Sequence, residues 1–138
     1  MERLLPVVIV LALASGYGLW YRSSRGRVKS SARAKLIALD KKTLGGDLGE
    51  RATLVQFSSA FCTPCRMTRT LITDVITDMP DVRHIDIDAE SHLDLVRRLD
   101  IRSTPTTLFL DGSGIERGRA VGAPKRNELI EAITALKA

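Results

Sequence analysis

Little in this chain is aromatic: one Trp, two Tyr and three Phe in 138 residues. A folded core must therefore be built mostly from Leu, Ile and Val. Cysteine is scarcer still, with Cys62 and Cys65 the only two. Two cysteines do not make the disulfide framework of a small secreted domain, and their spacing encloses too small a loop to staple a fold. A functional pair is the better reading. Acidic residues are missing from the whole stretch between Arg22 and Lys35, which carries Arg22, Arg25, Arg27, Lys29, Arg33 and Lys35. The net charge of +5 is largely a property of that stretch. It has no interleaved aromatics and no module that reads bases, so nucleic acid is not the expected partner. The glycine-punctuated segment Leu44-Gly45-Gly46-Asp47-Leu48-Gly49 lacks a following Gly-Lys-Ser/Thr and is no phosphate loop. No internal repeat or low-complexity tract is present. With 44% hydrophobic and 27% charged residues the chain reads as one ordinary folded domain with a little to spare.

The spare part is N-terminal. Leu4 to Tyr21 is an uncharged run of 18 residues, LLPVVIVLALASGYGLWY. As a helix it spans about 27 Å, near the lower end of what a bilayer core needs. Trp20 and Tyr21 close it, where amphipathic rings sit at a membrane–water boundary. Pro6 is tolerated because first-turn N–H groups have no helical partner. The competing reading is a cleaved signal peptide, for which Ala12-Leu13-Ala14 fits the small-x-small pattern. The run continues past that point to Tyr21 and Glu2 offsets Arg3, which favours an uncleaved anchor. Residues 1–21 are thus expected to be a membrane anchor, 22–34 a basic flexible linker, and 35–138 a folded domain. The basic flank places the C-terminal side in the cytoplasm by the positive-inside rule. It also suits contact with anionic headgroups.

In the domain, Lys35 to Asp40 fits either a short edge strand or a helical turn. Thr53 to Phe57 predicts a strand, and Arg66 to Met79 an amphipathic helix with Met67, Leu71, Val75 and Met79 as its inward row and Ile72 and Ile76 beside them. Val82 to Asp88 alternates apolar and polar residues and predicts a strand. Ser91 is placed to cap a helix through Asp100, with Asp94 as an acidic capping-box analogue and Leu93, Val96 and Leu99 buried. Thr106 to Leu110 and Ile115 to Val121 predict a hairpin around Asp111-Gly112-Ser113-Gly114. Leu129, Ile130, Ile133 and Leu136 mark a last helix. Strand, helix, strand, helix, hairpin, helix predicts an α/β sandwich, with a mixed sheet covered on both faces.

The segment Phe61-Cys62-Thr63-Pro64-Cys65-Arg66 lies between the first of these strands and the helix that follows. A thiol at a helix entrance sits near the positive end of the macrodipole and near unpaired N–H groups, both of which favour thiolate. Two thiols at that spacing can close a small disulfide and reopen it. A dithiol/disulfide redox centre follows. Arg66 adds a nearby positive charge, though a first-turn arginine is ordinarily solvated. A rival of another class is a two-Cys, two-His zinc site from Cys62, Cys65, His84 and His92. The eight positions between the histidines are wider than the usual finger range.

From Lys35 to Leu136 these pieces resemble the thioredoxin family. The resemblance rests on TLVQF, FCTPC at a helix entrance, RHIDID, Thr104-Pro105 forty positions beyond Cys65, DGSG, and Val121-Gly122-Ala123. It implies the thioredoxin-like sandwich and thiol–disulfide exchange. Cys62 corresponds to the attacking thiol, Cys65 to the buried resolving thiol, and Pro105 to the family's cis proline. Phe61, Pro64, Thr104, Pro105 and Gly122 would line the groove that receives an extended substrate strand. The implied partners are protein or small-molecule disulfides and an external electron donor; no metal or organic cofactor is required. Pro64 resembles the reducing members. The chain departs from the family at Phe61, where a Trp is usual, at Thr63, where Gly is common, and at Gln56, where a buried acid is expected. Gln cannot take a proton, so Cys65 would rely on water or another group. His84 falls where the family often has a lysine. These departures leave a non-catalytic, membrane-tethered binding module as an alternative. Anchored relatives usually work outside the cytoplasm but carry a central insert that this chain lacks. The short spacing resembles the family's unanchored members and the tether its anchored ones; the basic flank favours the cytoplasmic face.

Overall fold

The computed structural model describes residues 4–24, 26–30 and 38–136. Arg3, Arg25, Arg33 and the segment Lys35-Leu36-Ile37 of the expectations above lie outside them. The first element, α1 (Leu5–Ser24), is a helix of 20 residues, about 30 Å long, with none of its residues buried. Along its last turns the Tyr17 ring lies tilted against Trp20 and stacked on Tyr21, with ring centroids 6.0 and 6.3 Å apart. Ser23 and Ser24 close the helix by donating their hydroxyls to Trp20 O.

The domain's elements are β1 (Val28–Ser30), α2 (Lys41–Leu44), β2 (Ala52–Ser58), α3 (Thr63–Val75), β3 (Val82–Asp88), α4 (Leu93–Arg98), β4 (Thr106–Asp111), β5 (Glu116–Val121) and α5 (Arg126–Ala135). They build one sheet in the order β1-β5-β4-β2-β3. The central strand β2 is buried along its whole length. It pairs in parallel with β3 and antiparallel with β4. This is the expected mixed sheet, and its side-chain alternation divides the core in two. Leu54, Ile72, Val75, Phe109, Leu129 and Ile133 fill the layer under α3 and α5. Val55, Phe57, Ile87, Leu95, Leu99, Leu108 and Leu110 fill the other, under α2 and α4. Each such Leu, Ile or Phe contributes about 2 kcal/mol by leaving water.

Several local expectations are corrected. Helix α3 begins at Thr63 and ends at Val75, and its inward residues are Cys65, Thr68, Ile72 and Val75. Met67 is exposed. A row of residues four apart drifts about 40° per step around a helix of 3.6 residues per turn, which carries Met67 off the buried face. The cap of α4 is His92 and not Ser91. The Ser91 hydroxyl is committed to Asp88 Oδ2, 2.6 Å away, at the end of β3. With the helix starting one residue later, Leu95 is buried and Leu93 is exposed. The linker expected over 22–34 contains β1, which pairs antiparallel with β5 (Val28 opposite Ala120, Ser30 opposite Gly118). Three residues with one apolar side chain carry no readable period. From the undecided segment Lys35–Asp40, Ala38 forms an isolated antiparallel bridge with Ile115.

The β4–β5 hairpin is pinned by Asp111. Its carboxylate accepts from Ser113 N and Ile115 N at 2.9 and 3.1 Å and from Arg117 Nε at 2.7 Å. Asp111→Ala is expected to lower stability by about 2 kcal/mol, because two turn N–H groups and the Arg117 guanidinium lose a charged acceptor. A urea midpoint that does not move would show that the turn holds without it.

Candidate functional site

Strand β2 ends at Ser58 and the chain turns through residues 59–61 into α3. Cys62 is the N-cap of that helix, in extended backbone conformation, and Pro64 occupies its first turn. The Cys65 N–H donates to Cys62 Sγ at 3.1 Å. One of the N–H groups that a helix start leaves without a partner is thus aimed at sulfur. Cys62 and Cys65 are joined in a disulfide with Cα atoms 5.2 Å apart. The two sulfurs are not equally accessible: Cys62 keeps 9% of its surface open and Cys65 only 1%.

Around the pair, Phe61 is fully exposed. Thr63, Pro64 and Arg66 are also exposed. Arg66 is not bare charge beside the sulfur: its guanidinium donates to Thr63 Oγ1 at 3.2 Å. The Thr104–Pro105 peptide bond is cis. Pro105 is buried and Thr104 half-buried. Ser59 Oγ and Thr104 Oγ1 lie 3.1 Å apart, tying the redox loop to the start of β4. Pro105 O accepts from Gly122 N at 2.8 Å. Gly122 needs no side chain there: its φ of 92° lies in the left-handed region. The sequence-predicted residues Phe61, Cys62, Pro64, Cys65, Thr104, Pro105 and Gly122 therefore stand at one end of the sheet.

Beneath α3 lies a polar network that holds Cys65 from below. Gln56, fully buried, donates from Nε2 to Cys65 O at 2.8 Å and to Ser58 Oγ at 3.1 Å. Ser58 Oγ donates to Asp86 Oδ1 at 2.7 Å. Asp86 also accepts from Arg69 Nε of α3 at 2.6 Å. Gln56 Oε1 is 3.1 Å from His84 Nε2. A backbone carbonyl only accepts, so the Gln56 amide must face Cys65 with nitrogen and His84 with oxygen. That assigns the His84 proton to Nε2. Sequence reasoning picked out Gln56 and His84 but missed Ser58, Asp86 and Arg69. Part of the signal was there: Gln56 and Ser58, like His84 and Asp86, are two apart on strands and so share a face.

Metal ligation finds no support in this geometry. Among the described residues no three His, Cys, Asp or Glu side chains cluster as a metal would need. The two cysteines share a disulfide, His84 bonds Gln56, and His92 Nδ1 bonds Asp88 O. The four residues of the zinc reading are not brought together.

Burial pushes the His84 imidazole below its ordinary value of 6.5; Asp86 opposes this and the Arg69 charge reinforces it. The folded state therefore binds fewer protons than the unfolded chain just below pH 6.5. Stability from neutral His84 is present above that pH and is lost as pH falls through the window toward the folded value. His84→Gln keeps an N–H for Gln56 and should flatten the fall in urea stability between about pH 7 and about pH 5.5. Equal pH slopes in the two proteins would contradict this.

Comparison with known proteins agrees with this geometry. The family model for thioredoxin matches residues 37–135. Rice (Oryza sativa subsp. japonica) Thioredoxin H4-1 is 31% identical over 97 residues, covering 70% of this chain and 72% of its own. Rice Thioredoxin H5 is 32% identical over 60 residues, and this chain spans 44% of its length. Among solved structures, thioredoxin NaTrxh from Nicotiana alata superposes with a TM-score of 0.58 at 29% identity, covering 64% of this chain and 76% of that one.

Proposed function

From the premise that this chain belongs to the thioredoxin family and is a thiol–disulfide oxidoreductase, we propose that it reduces protein disulfides through a Cys62–Cys65 dithiol while tethered to a membrane by α1. The observation that carries the chemistry is the Cys62 sulfur at the entrance of α3, with the Cys65 N–H directed at it. A donor and a helix N-terminus at that position favour thiolate. In the reduced protein Cys62, the more accessible sulfur, attacks one sulfur of the substrate disulfide. The substrate S–S bond breaks, its other sulfur leaves as thiolate and takes a proton. Cys65 loses its proton to solvent or to a polar neighbour and attacks Cys62 Sγ. The Cys62–Cys65 bond forms and the second substrate thiolate leaves. Two electrons have passed from this dithiol to the substrate, and an external dithiol donor returns them.

The neighbours suit these roles. Gln56 fixes the Cys65 backbone without adding a charge beneath it. Exposed Phe61 and Pro64 flank the attacking sulfur. Thr104, Pro105 and Gly122 form the wall against which an extended substrate segment would lie. Pro64 resembles the reducing members of the family, which favours a reductase over an oxidant. For the tether, α1 is the one helix among the described residues long and apolar enough to cross a bilayer. Its rings at Tyr17, Trp20 and Tyr21 suit an interface. The basic residues after it favour a domain on the cytoplasmic face.

In an insulin-reduction assay with a dithiol donor, Cys62→Ser should lose essentially all turnover. Cys65→Ser should instead accumulate a mixed disulfide with substrate, because the resolving step is missing. Turnover that survives Cys62→Ser would sink the exchange mechanism.

A further inference from the structure

The chain leaving α1 joins the domain at the end of the sheet that carries the redox centre. Ser24 is the last helical residue, and by Gly26 the chain is already bonded to the domain: Gly26 N donates to Val121 O at 2.6 Å. Only glycine fits there. Its φ is 88°, and an added Cβ would lie 2.3 Å from Ala123 O. The chain then runs along β5 from Val28 opposite Ala120 to Ser30 opposite Gly118, that is, away from Gly122. The crossing is therefore made at the Gly122 end of the sheet. That end is the redox end: Gly122 N bonds Pro105 O, and Thr104 Oγ1 meets Ser59 Oγ, three positions before Cys62. The opposite end of the sheet carries Asp111 and its turn.

The magnitude matters. A flexible linker over residues 22–34 would let the domain roam about 20 Å from its anchor. Here two peptide units separate Ser24 from Gly26, a reach of about 7 Å. No residue of α1 is buried, and only Ser24 at its end is half-covered. Exposed Arg22 and Arg27 flank the crossing and suit anionic headgroups. Phe61, Met67 and Val121 leave apolar side chains exposed.

Resting on the tethered reading above, we infer that the redox centre works against the bilayer surface, and that its substrates are disulfides of membrane-spanning polypeptides lying close to the headgroups. The exchange is the two-electron reaction already written; what the tether adds is selection by distance. A short tether raises the effective concentration of what lies within its reach and excludes what lies beyond.

The test uses the full chain, pre-reduced and in single turnover, in vesicles of phosphatidylcholine and phosphatidylglycerol. The substrates are single-span peptides carrying identical disulfide loops on both flanks, either about 5 or about 30 residues from the span. The near disulfide should be reduced about 10-fold faster or more. A Gly-Ser insert of about 20 residues after Ser24 should bring the ratio close to one. Both proteins should reduce soluble insulin equally. A ratio near one for the wild type, in protein that floats with the vesicles, overturns this inference and leaves the tether standing. Protein that fails to float with the vesicles overturns the tether itself.

Discussion

One hydrogen bond organises the site: the Cys65 N–H to Cys62 Sγ across the first turn of α3. It exists because Cys62 takes the capping position that Ser, Thr, Asp or Asn usually fills. A sulfur there accepts the donor that a capping oxygen would accept, and it feels the same positive helix end. The rest of the domain keeps that geometry fixed. Strand β2, buried throughout, delivers the chain to the helix entrance. Cys65, Thr68, Ile72 and Val75 hold α3 down on the sheet. Ser59 and Thr104 lock the redox loop to β4.

Gln56 gives this centre its particular character. A buried carboxylate directly under Cys65 would face a desolvation penalty and would titrate with the thiols. The amide instead satisfies Cys65 O, Ser58 and His84 with no charge of its own. The nearest carboxylate in this network is Asp86, one hydrogen bond further out through Ser58 and balanced by Arg69. The side chain of Asp86 is about a quarter exposed, so its charge is partly solvated. Chemistry at Cys65 therefore runs above a neutral amide whose own hydrogen bonds are made, with the charged pair at its margin.

Much of this was legible in the sequence, and the misses have physical causes. The strands Thr53–Phe57 and Val82–Asp88 were readable because one is a short β-branched and largely apolar run and the other alternates, and a two-residue period survives in short segments. The helix entrance at Cys62 was readable from the strand before it and Pro64 within it. Met67 was misplaced because a strict four-residue row slides off a helix face. Ser91 was misplaced because its hydroxyl had a second use at Asp88. Strand β1 was invisible because backbone pairing with β5, and not side-chain pattern, makes it a strand. The Ser58–Asp86–Arg69 links needed the register of β2 on β3, which no single segment encodes.

The thiolate at the entrance of α3 is the claim on which the chemistry depends. Its most direct measurement is the pH profile of alkylation of each cysteine in the reduced full chain, read by mass spectrometry. Cys62 should react first, with a midpoint well below the free-cysteine value of about 8.5, while Cys65 stays protected. Equal reaction of both thiols, or a Cys62 midpoint at the free value, would contradict the account.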